Sequence, residues 1–426
     1  MAHSSKKTIL SWCLFDWAHS GFPTVITTFV FGTYFMKSVV QDVDKGTAEW
    51  AWILGISGFI IAIISPFAGA ISDQQGNKKS WLVFFTLICV VFTSLLWFTK
   101  PEPSYTLWAV WISIIAHISF ECTQVFYNSM LIDIAPTKKL GRLSGWGWGT
   151  GYIGGLICMI CALYMIKSSW ITHKEDLNIR ATNLLVAIWF FVFAIPLFIW
   201  GPKDKKNNKI SITQAIKGGF IEISKTFRMA RKYSQIFRFL IARLLYIDGL
   251  NTLLSFVGIF AAGSFGMSIG EIMIFAILSN ALAGIGAFAL AWLDDLWGSK
   301  KIIVLSLGMI FILASILLLL KSVVYFWVLG LLISSFVGPA QAASRSYLAR
   351  CIPSHMASEF FGIYSLSGRL TAFIGPMLLS FVTLISGSQR VGLFSTLAFI
   401  LAGLFILFFL PEAKMIETHD TSNKGS

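Results

Sequence analysis

Six ionisable side chains stand inside long apolar runs of the chain: Asp16, Glu121, Arg243, Asp248, Arg345 and Arg369. A charge surrounded by hydrocarbon is costly, so each needs a counter-charge, a proton or a water-filled cavity, and each is a functional candidate by default. A pairing of Asp248 with Arg243 or Arg345 would lower its cost. An unpaired buried aspartate would take up a proton instead. Either state suits a coupling role, because a carboxyl that alternates between solvent and an ion pair can carry a proton. The competing reading is a static ion pair between helices.

Neutral and imidazole groups accompany these charges. Glu121 follows His117 by four residues, so the two share a helix face, with Glu121 as proton carrier and His117 as modulator. Two ligands are too few for a zinc site. His19 is either a proton-coupling group, since imidazole titrates near neutrality, or a hydrogen bonder. Asn128, Gln124, Tyr127, Gln341 and Asn251 add neutral hydrogen-bonding groups that suit a small polar solute. Arg345 has the fork that matches a carboxylate, and Asp248 could meet an amine, so the set is compatible with a zwitterion. No phosphate-binding glycine loop or catalytic constellation is present, so the reading is a non-enzyme without cofactor or metal.

One motif occurs twice. Gly69 to Lys79 reads Gly-Ala-Ile-Ser-Asp73-Gln-Gln-Gly76-Asn-Lys78-Lys79, and Asp295, Gly298, Lys300 and Lys301 repeat its Asp, Gly and Lys pair 222 residues later. A second echo sets Asp16-x-x-His19-Ser20 against Asp248-x-x-Asn251-Thr252. In the first motif the aspartate closes a helix, where its charge opposes the dipole unless a neighbouring helix N-terminus or an arginine offsets it. Glycine makes the turn, and the lysines hold the loop on the cytoplasmic side. Such a contact can latch one access state and open in the other.

These residues need elements to hold them. Hydrophobic residues make up 56% of the 426, charged residues only 12%, and the mean hydropathy is +0.76. A span needs about 20 mostly apolar residues. Twelve stretches qualify: 11–36, 50–72, 80–99, 105–133, 144–166, 182–200, 236–264, 269–293, 301–320, 322–349, 357–386 and 389–411. Continuous apolar runs such as Ile302–Leu320 exclude a β-barrel, whose strands would alternate. The first stretch is too long for a signal peptide and holds Asp16, so it reads as a retained helix. The expected fold is therefore an all-α integral membrane protein with twelve transmembrane helices in two pseudo-symmetric six-helix halves.

The net charge of +13 fits topology better than nucleic-acid binding. With the N-terminus in the cytoplasm, 21 Lys and Arg fall on cytoplasmic segments, eight on the other side and four (Arg238, Arg243, Arg345, Arg369) within helices. That asymmetry puts both termini inside. Residues 1–200 form the first half and 236–426 the second, with a short polar tail. The basic stretch 201–235 is a cytoplasmic linker whose Ile212, Ile216, Phe220, Ile223 and Phe227 suggest a helix on the lipid surface. Trp50, Trp52, Trp108 and Trp170 read as interfacial anchors. Gly147, Gly149, Gly151, Gly154 and Gly155 read as a close helix-packing stripe. The six cysteines lie in or beside apolar spans and are expected to form no disulfides.

The repeated Asp-x-x-Gly-x-Lys-Lys segments resemble the signature loop of the major facilitator superfamily. More narrowly, the chain resembles the vacuole-effluxer branch, which includes autophagy-linked fungal amino-acid effluxers. The resemblance rests on Phe15-Asp16-Trp17-Ala18-His19-Ser20 with Thr28-Phe29-Val30-Phe31, on Val125-Phe126-Tyr127-Asn128 through Ala135-Pro136, and on Gly141-Arg142-Leu143-Ser144-Gly145. In the second half it rests on Tyr246 through Thr252, on Gln341-Ala-Ala-Ser344-Arg345-Ser346, and on Glu359-Phe360-Phe361-Gly362 through Ser367-Gly368. His19 departs from the pattern, which usually has Asn there. The resemblance implies the major facilitator fold with helices one, four, seven and ten lining a central cavity. It implies a monomeric carrier, bacterial in type and set in the inner membrane. Its partners are a small polar metabolite, amino acids foremost, together with protons and the lipid bilayer. Two other readings stand beside it: an exporter of a drug, siderophore or other metabolite, and a transporter-like sensor or scaffold that moves no solute.

Overall fold

A computed structural model describes residues 5–169, 171–204, 233–369, 371 and 374–413. The linker helix expected within 201–235, the polar tail and Trp170 lie outside them.

Among the described residues the regular structure is helical. The helices are α1 (Lys6–His19), α2 (Val43–Gln75), α3 (Lys78–Leu95), α4 (Thr106–Ser129), α5 (Leu140–Lys167) and α6 (Leu177–Trp200), then α7 (Ser234–Phe265), α8 (Ile269–Trp297), α9 (Ser299–Leu319), α10 (Val323–Cys351), α11a (Ala357–Ser367), α11b (Ile374–Ser386) and α12 (Gln389–Phe408). Ten helical stretches among the described residues are long and apolar enough to cross a membrane. The two missing from that count are the first and eleventh apolar stretches, which the structure interrupts. After α1 the chain runs on through wide π-turns at Phe22–Phe29 and Phe35–Val39. Pro23 has no backbone N–H to give an α-helical ladder, and a π-bulge is a low-cost way past it. The eleventh stretch stops at Ser367 and resumes at Ile374.

The helix ends follow local chemistry. Ser5 caps α1 by accepting from Thr8 N at 3.2 Å. Asp42 caps α2 through Lys45 N at 3.0 Å. Ser268 and Glu271 form a reciprocal capping box on α8. The turns after α2 and α8 hold Gly76 at φ +65° and Gly298 at φ +98°. Both conformations penalise a side chain, which is why glycine recurs at this register of the repeat.

Helices of the first six pack largely on one another, α1 against α5 and α6, and α3 against α4. In the second six, α7 packs on α12, and α10 on α8 and α9. The two groups meet where α2 crosses α11a and where α5 crosses α8 and α10. These crossings are close. A Cβ on Gly69 would lie 2.2 Å from Ser358 O, and one on Gly362 2.4 Å from Ser65 O. Large apolar side chains such as Phe59, Phe84, Ile188 and Phe405 are exposed on the outside, the surface a lipid solvent accepts. Trp52 and Trp108 are exposed as anchors would be. Trp50 is not: it is buried against Phe31, Phe35 and His117, because Gly32 leaves room for its ring.

Candidate functional site

The two copies of the repeated motif do matching work at one end of the bundle, the end where the chain begins. Asp73, at the end of α2, accepts a hydrogen bond at 2.9 Å from Glu359 N, in the first turn of α11a. Asp295, at the end of α8, accepts from Gly141 N and Arg142 N at 2.9 and 3.2 Å, in the first turn of α5. Each aspartate therefore offsets the dipole of a helix in the opposite half. Lys78 lies 3.8 Å from Asp73 and 3.2 Å from Asp133. The second copy is held harder: Arg350 reaches Asp294 at 2.8 Å and Asp295 at 2.9 Å, and Arg142 lies 3.6 Å from Asp295. Lys79 N donates to Asp204 at 2.8 Å, Lys300 Nζ to the carbonyls of Phe408 and Leu410, and Lys301 is exposed.

Deeper in, Arg345 of α10 enters the first half. Its Nη1 donates to Asp16 Oδ2 at 3.3 Å and to Asn128 Oδ1 at 3.1 Å; Nε and Nη2 donate to Ser144 Oγ and O at 2.9 and 2.7 Å. Tyr127 OH donates to the same Asp16 oxygen at 2.9 Å. The rings of Trp12, Tyr127 and Trp148 face the guanidinium at 4.8, 5.5 and 5.7 Å. Arg345 is 2% exposed and Asp16 6%. All three guanidinium nitrogens are engaged, so Arg345 is closed to a solute carboxylate in this state. Gly147 makes the enclosure possible, since a Cβ there would lie 2.7–2.8 Å from Trp12, Arg345 and Asp16.

Asp248, at the matching place in α7, is handled differently. Its Oδ2 accepts from Gly375 N at 3.0 Å, at the start of α11b. Its Oδ1 is buried without a hydrogen bond, as is Thr252 Oγ1 beside it. Arg243 turns instead to Tyr364 O and Ser367 Oγ at 2.7 and 2.8 Å and stacks on the Tyr364 ring. Among the described residues no basic side chain forms a salt bridge with Asp248. Asn251, one turn further on, is exposed.

The remaining candidates lie on one stripe of α4: His117, Glu121, Gln124 and Asn128. Glu121 pairs with Arg369, in the gap between α11a and α11b, and not with His117. His117 donates from Nδ1 to Ser113 O at 2.8 Å and contacts Thr27 Oγ1 at 3.1 Å. His19 stacks on Phe120 with centroids 3.8 Å apart, accepts at Nδ1 from Gln124 at 2.9 Å and meets Phe120 O with Nε2 at 3.4 Å. Asn128 Nδ2 donates to Gln124 at 3.4 Å, so the hydrogen-bonded path runs unbroken from His19 to Arg345.

Residues 47–419 match the family model described as vacuole effluxer Atg22 like. The chain belongs to that family. A curated relative, the uncharacterized MFS-type transporter YxiO of Bacillus subtilis, is 28% identical over 97% of both chains. Autophagy-related protein 22-1 of Neosartorya fischeri is 23% identical over 97% of this chain and 80% of its own. Among solved structures, the proton:xylose symporter XylE superposes with a TM-score of 0.74 at 15% identity, covering 96% of each chain. FucP in its outward conformation gives 0.69 at 13%, covering 95% of this chain and 98% of that one. The fold is that of the major facilitator superfamily, and family and fold are those of transporters, not enzymes.

Several residues that shape this Atg22-like site escape sequence reasoning. Ser144, Trp12 and Trp148 enclose Arg345, yet they read as ordinary helix residues. Arg350 and Asp294 brace the second copy of the repeated motif. The signal available for them was the Asp294-Asp295 doublet beside a helix end, which calls for an arginine, but nothing in one dimension says which.

Proposed function

We propose that the chain is a secondary transporter that moves a small polar metabolite, amino acids foremost, by alternating access, driven by the proton gradient. On this reading both termini are cytoplasmic in a bacterial inner membrane, and the lysine and arginine count supports that orientation. The latched end of the bundle is then the cytoplasmic one. At the opposite end, the polar contacts among the described residues stay within a half, such as Tyr34 OH to Thr99 O at 2.9 Å and Ser264 to Gln389 at 3.3 Å.

One observation carries the coupling: Asp16 and Asp248 occupy equivalent places, but among the described residues only Asp16 has a counter-charge. A paired carboxylate is a lock. A buried carboxyl with one backbone donor and no cation is the group whose charge costs most, and a proton removes that charge. Asp248 lies against the start of α11b, so its protonation would act on the first turn of that helix. Gln124, Asn128 and Gln341 at similar depth supply neutral hydrogen-bonding groups for a polar solute.

The test is uptake of a mixed labelled amino-acid pool into proteoliposomes, with and without an imposed proton gradient, for wild type and Asp248→Asn. Gradient-stimulated flux that the variant loses is the expected result. Flux that survives in the variant removes Asp248 from the coupling step. No flux from well-folded wild type sinks the amino-acid assignment.

A further inference from the structure

We propose that Glu121 and Arg369 together bind the two charged groups of an α-amino acid, its ammonium on Glu121 and its carboxylate on Arg369. The proposal deepens the amino-acid reading above and rests on it. Of the six ionisable side chains inside apolar stretches, Asp16, Arg243, Asp248 and Arg345 are each at least nine-tenths buried. The Glu121–Arg369 pair is the accessible one, with side-chain exposures of 16% and 40%, against 8% and 2% for Asp16 and Arg345.

The chemistry of the pair selects its occupant. Without solute, the two groups neutralise each other, so neither stands as a lone charge at membrane depth. A zwitterion inserted between them replaces one ion pair with two and leaves the net charge at zero. The guanidinium fork of Arg369 can donate two parallel N–H bonds to a carboxylate. A simple amine would leave Arg369 unpaired, and a simple carboxylic acid would leave Glu121 unpaired, so both are rejected by the charge they strand.

The placement also couples binding to movement. Glu121 belongs to the first half and Arg369 to the second. The solute would thus convert a direct bridge between halves into a longer one, at the turn that follows Ser367. On α4, Glu121 shares its stripe with Gln124 and Asn128, and Asn128 receives the Arg345 guanidinium at 3.1 Å. Binding at the accessible pair therefore adjoins the enclosed Asp16–Arg345 lock.

The test is counterflow of a mixed labelled pool of the twenty L-amino acids in proteoliposomes. Wild type is compared with Glu121→Gln, Arg369→Gln and the exchanged double variant Glu121→Arg/Arg369→Glu, with Cys161→Ser as a control and every sample checked for monodispersity. The proposal expects counterflow in wild type and the control, a loss of about tenfold or more in each single variant, and partial recovery in the exchanged variant. It also expects unlabelled amino acids to compete, while their decarboxylated amines and deaminated acids do not. Single variants that keep wild-type counterflow overturn the site and leave amino-acid transport standing. Monodisperse wild type without counterflow overturns both.

Discussion

Arg345 reaches from α10 into the first half and meets Asp16 of α1, Nη1 to Oδ2, at 3.3 Å, although the two stand 329 positions apart in the sequence. Both side chains are buried, so removing one partner strands the other. Arg345→Met should destabilise the detergent-solubilised protein by roughly 3–5 kcal/mol, and the double variant Asp16→Asn/Arg345→Met by much less. Thermal unfolding of the three proteins measures this. A single variant as stable as wild type would show that the pair carries no such burden.

Gly147 is the contact point of that enclosure. Gly147→Ala should cost about 1–3 kcal/mol through overpacking against Trp12 and Arg345. Gly55→Ala is the matched control, because nothing lies within 4 Å of a Cβ there. Equal unfolding temperatures for the two variants would contradict the packing argument.

The two latches should differ in strength. Asp295 has Arg350 at 2.9 Å, whereas Asp73 has Lys78 at 3.8 Å. A charged hydrogen bond is worth more than a longer ion pair. Asp295→Asn should therefore open the latched end further than Asp73→Asn. Spin labels at Lys138 and His355, both exposed and in opposite halves, report the separation. A larger opening in Asp73→Asn would reverse the ranking.

His19 is satisfied as a neutral ring, accepting at one nitrogen and donating at the other. Asn offers one acceptor and one donor as well. His19→Asn should keep most of the flux and the same pH profile. A displaced profile would make the imidazole a proton-handling group after all.

Much of this was legible in one dimension. Hydropathy marked all twelve apolar stretches, because a bilayer demands about 20 apolar residues whatever the helix packs against. The repeat was legible because its Asp, Gly and Lys pair sit at fixed spacing, and the turn at Gly76 and Gly298 imposes a local backbone constraint. Even the partner of each latch aspartate, a helix N-terminus or an arginine, follows from the charge it must offset. The interruptions at Pro23 and after Ser367 were harder to see, since a window average passes over a break of a few residues.

Partner choice was decided only by the tertiary structure. Periodicity assigns a side chain a face and a depth, but not the helix opposite. Arg345 was compatible with Asp248, and Glu121 with His117. The crossings of α2 with α11a, and of α5 with α8 and α10, instead bring Arg345 to Asp16 and Arg369 to Glu121, and they leave Asp248 without a cation. Trp50 reads as an interfacial anchor, yet Gly32 opens a place for it inside. By itself the sequence determined that the chain spans a membrane as two related halves and which residues are costly to bury there. Which of those costs are cancelled in pairs, and which remain available to a proton or a solute, depends on distances between helices that lie hundreds of residues apart in the chain.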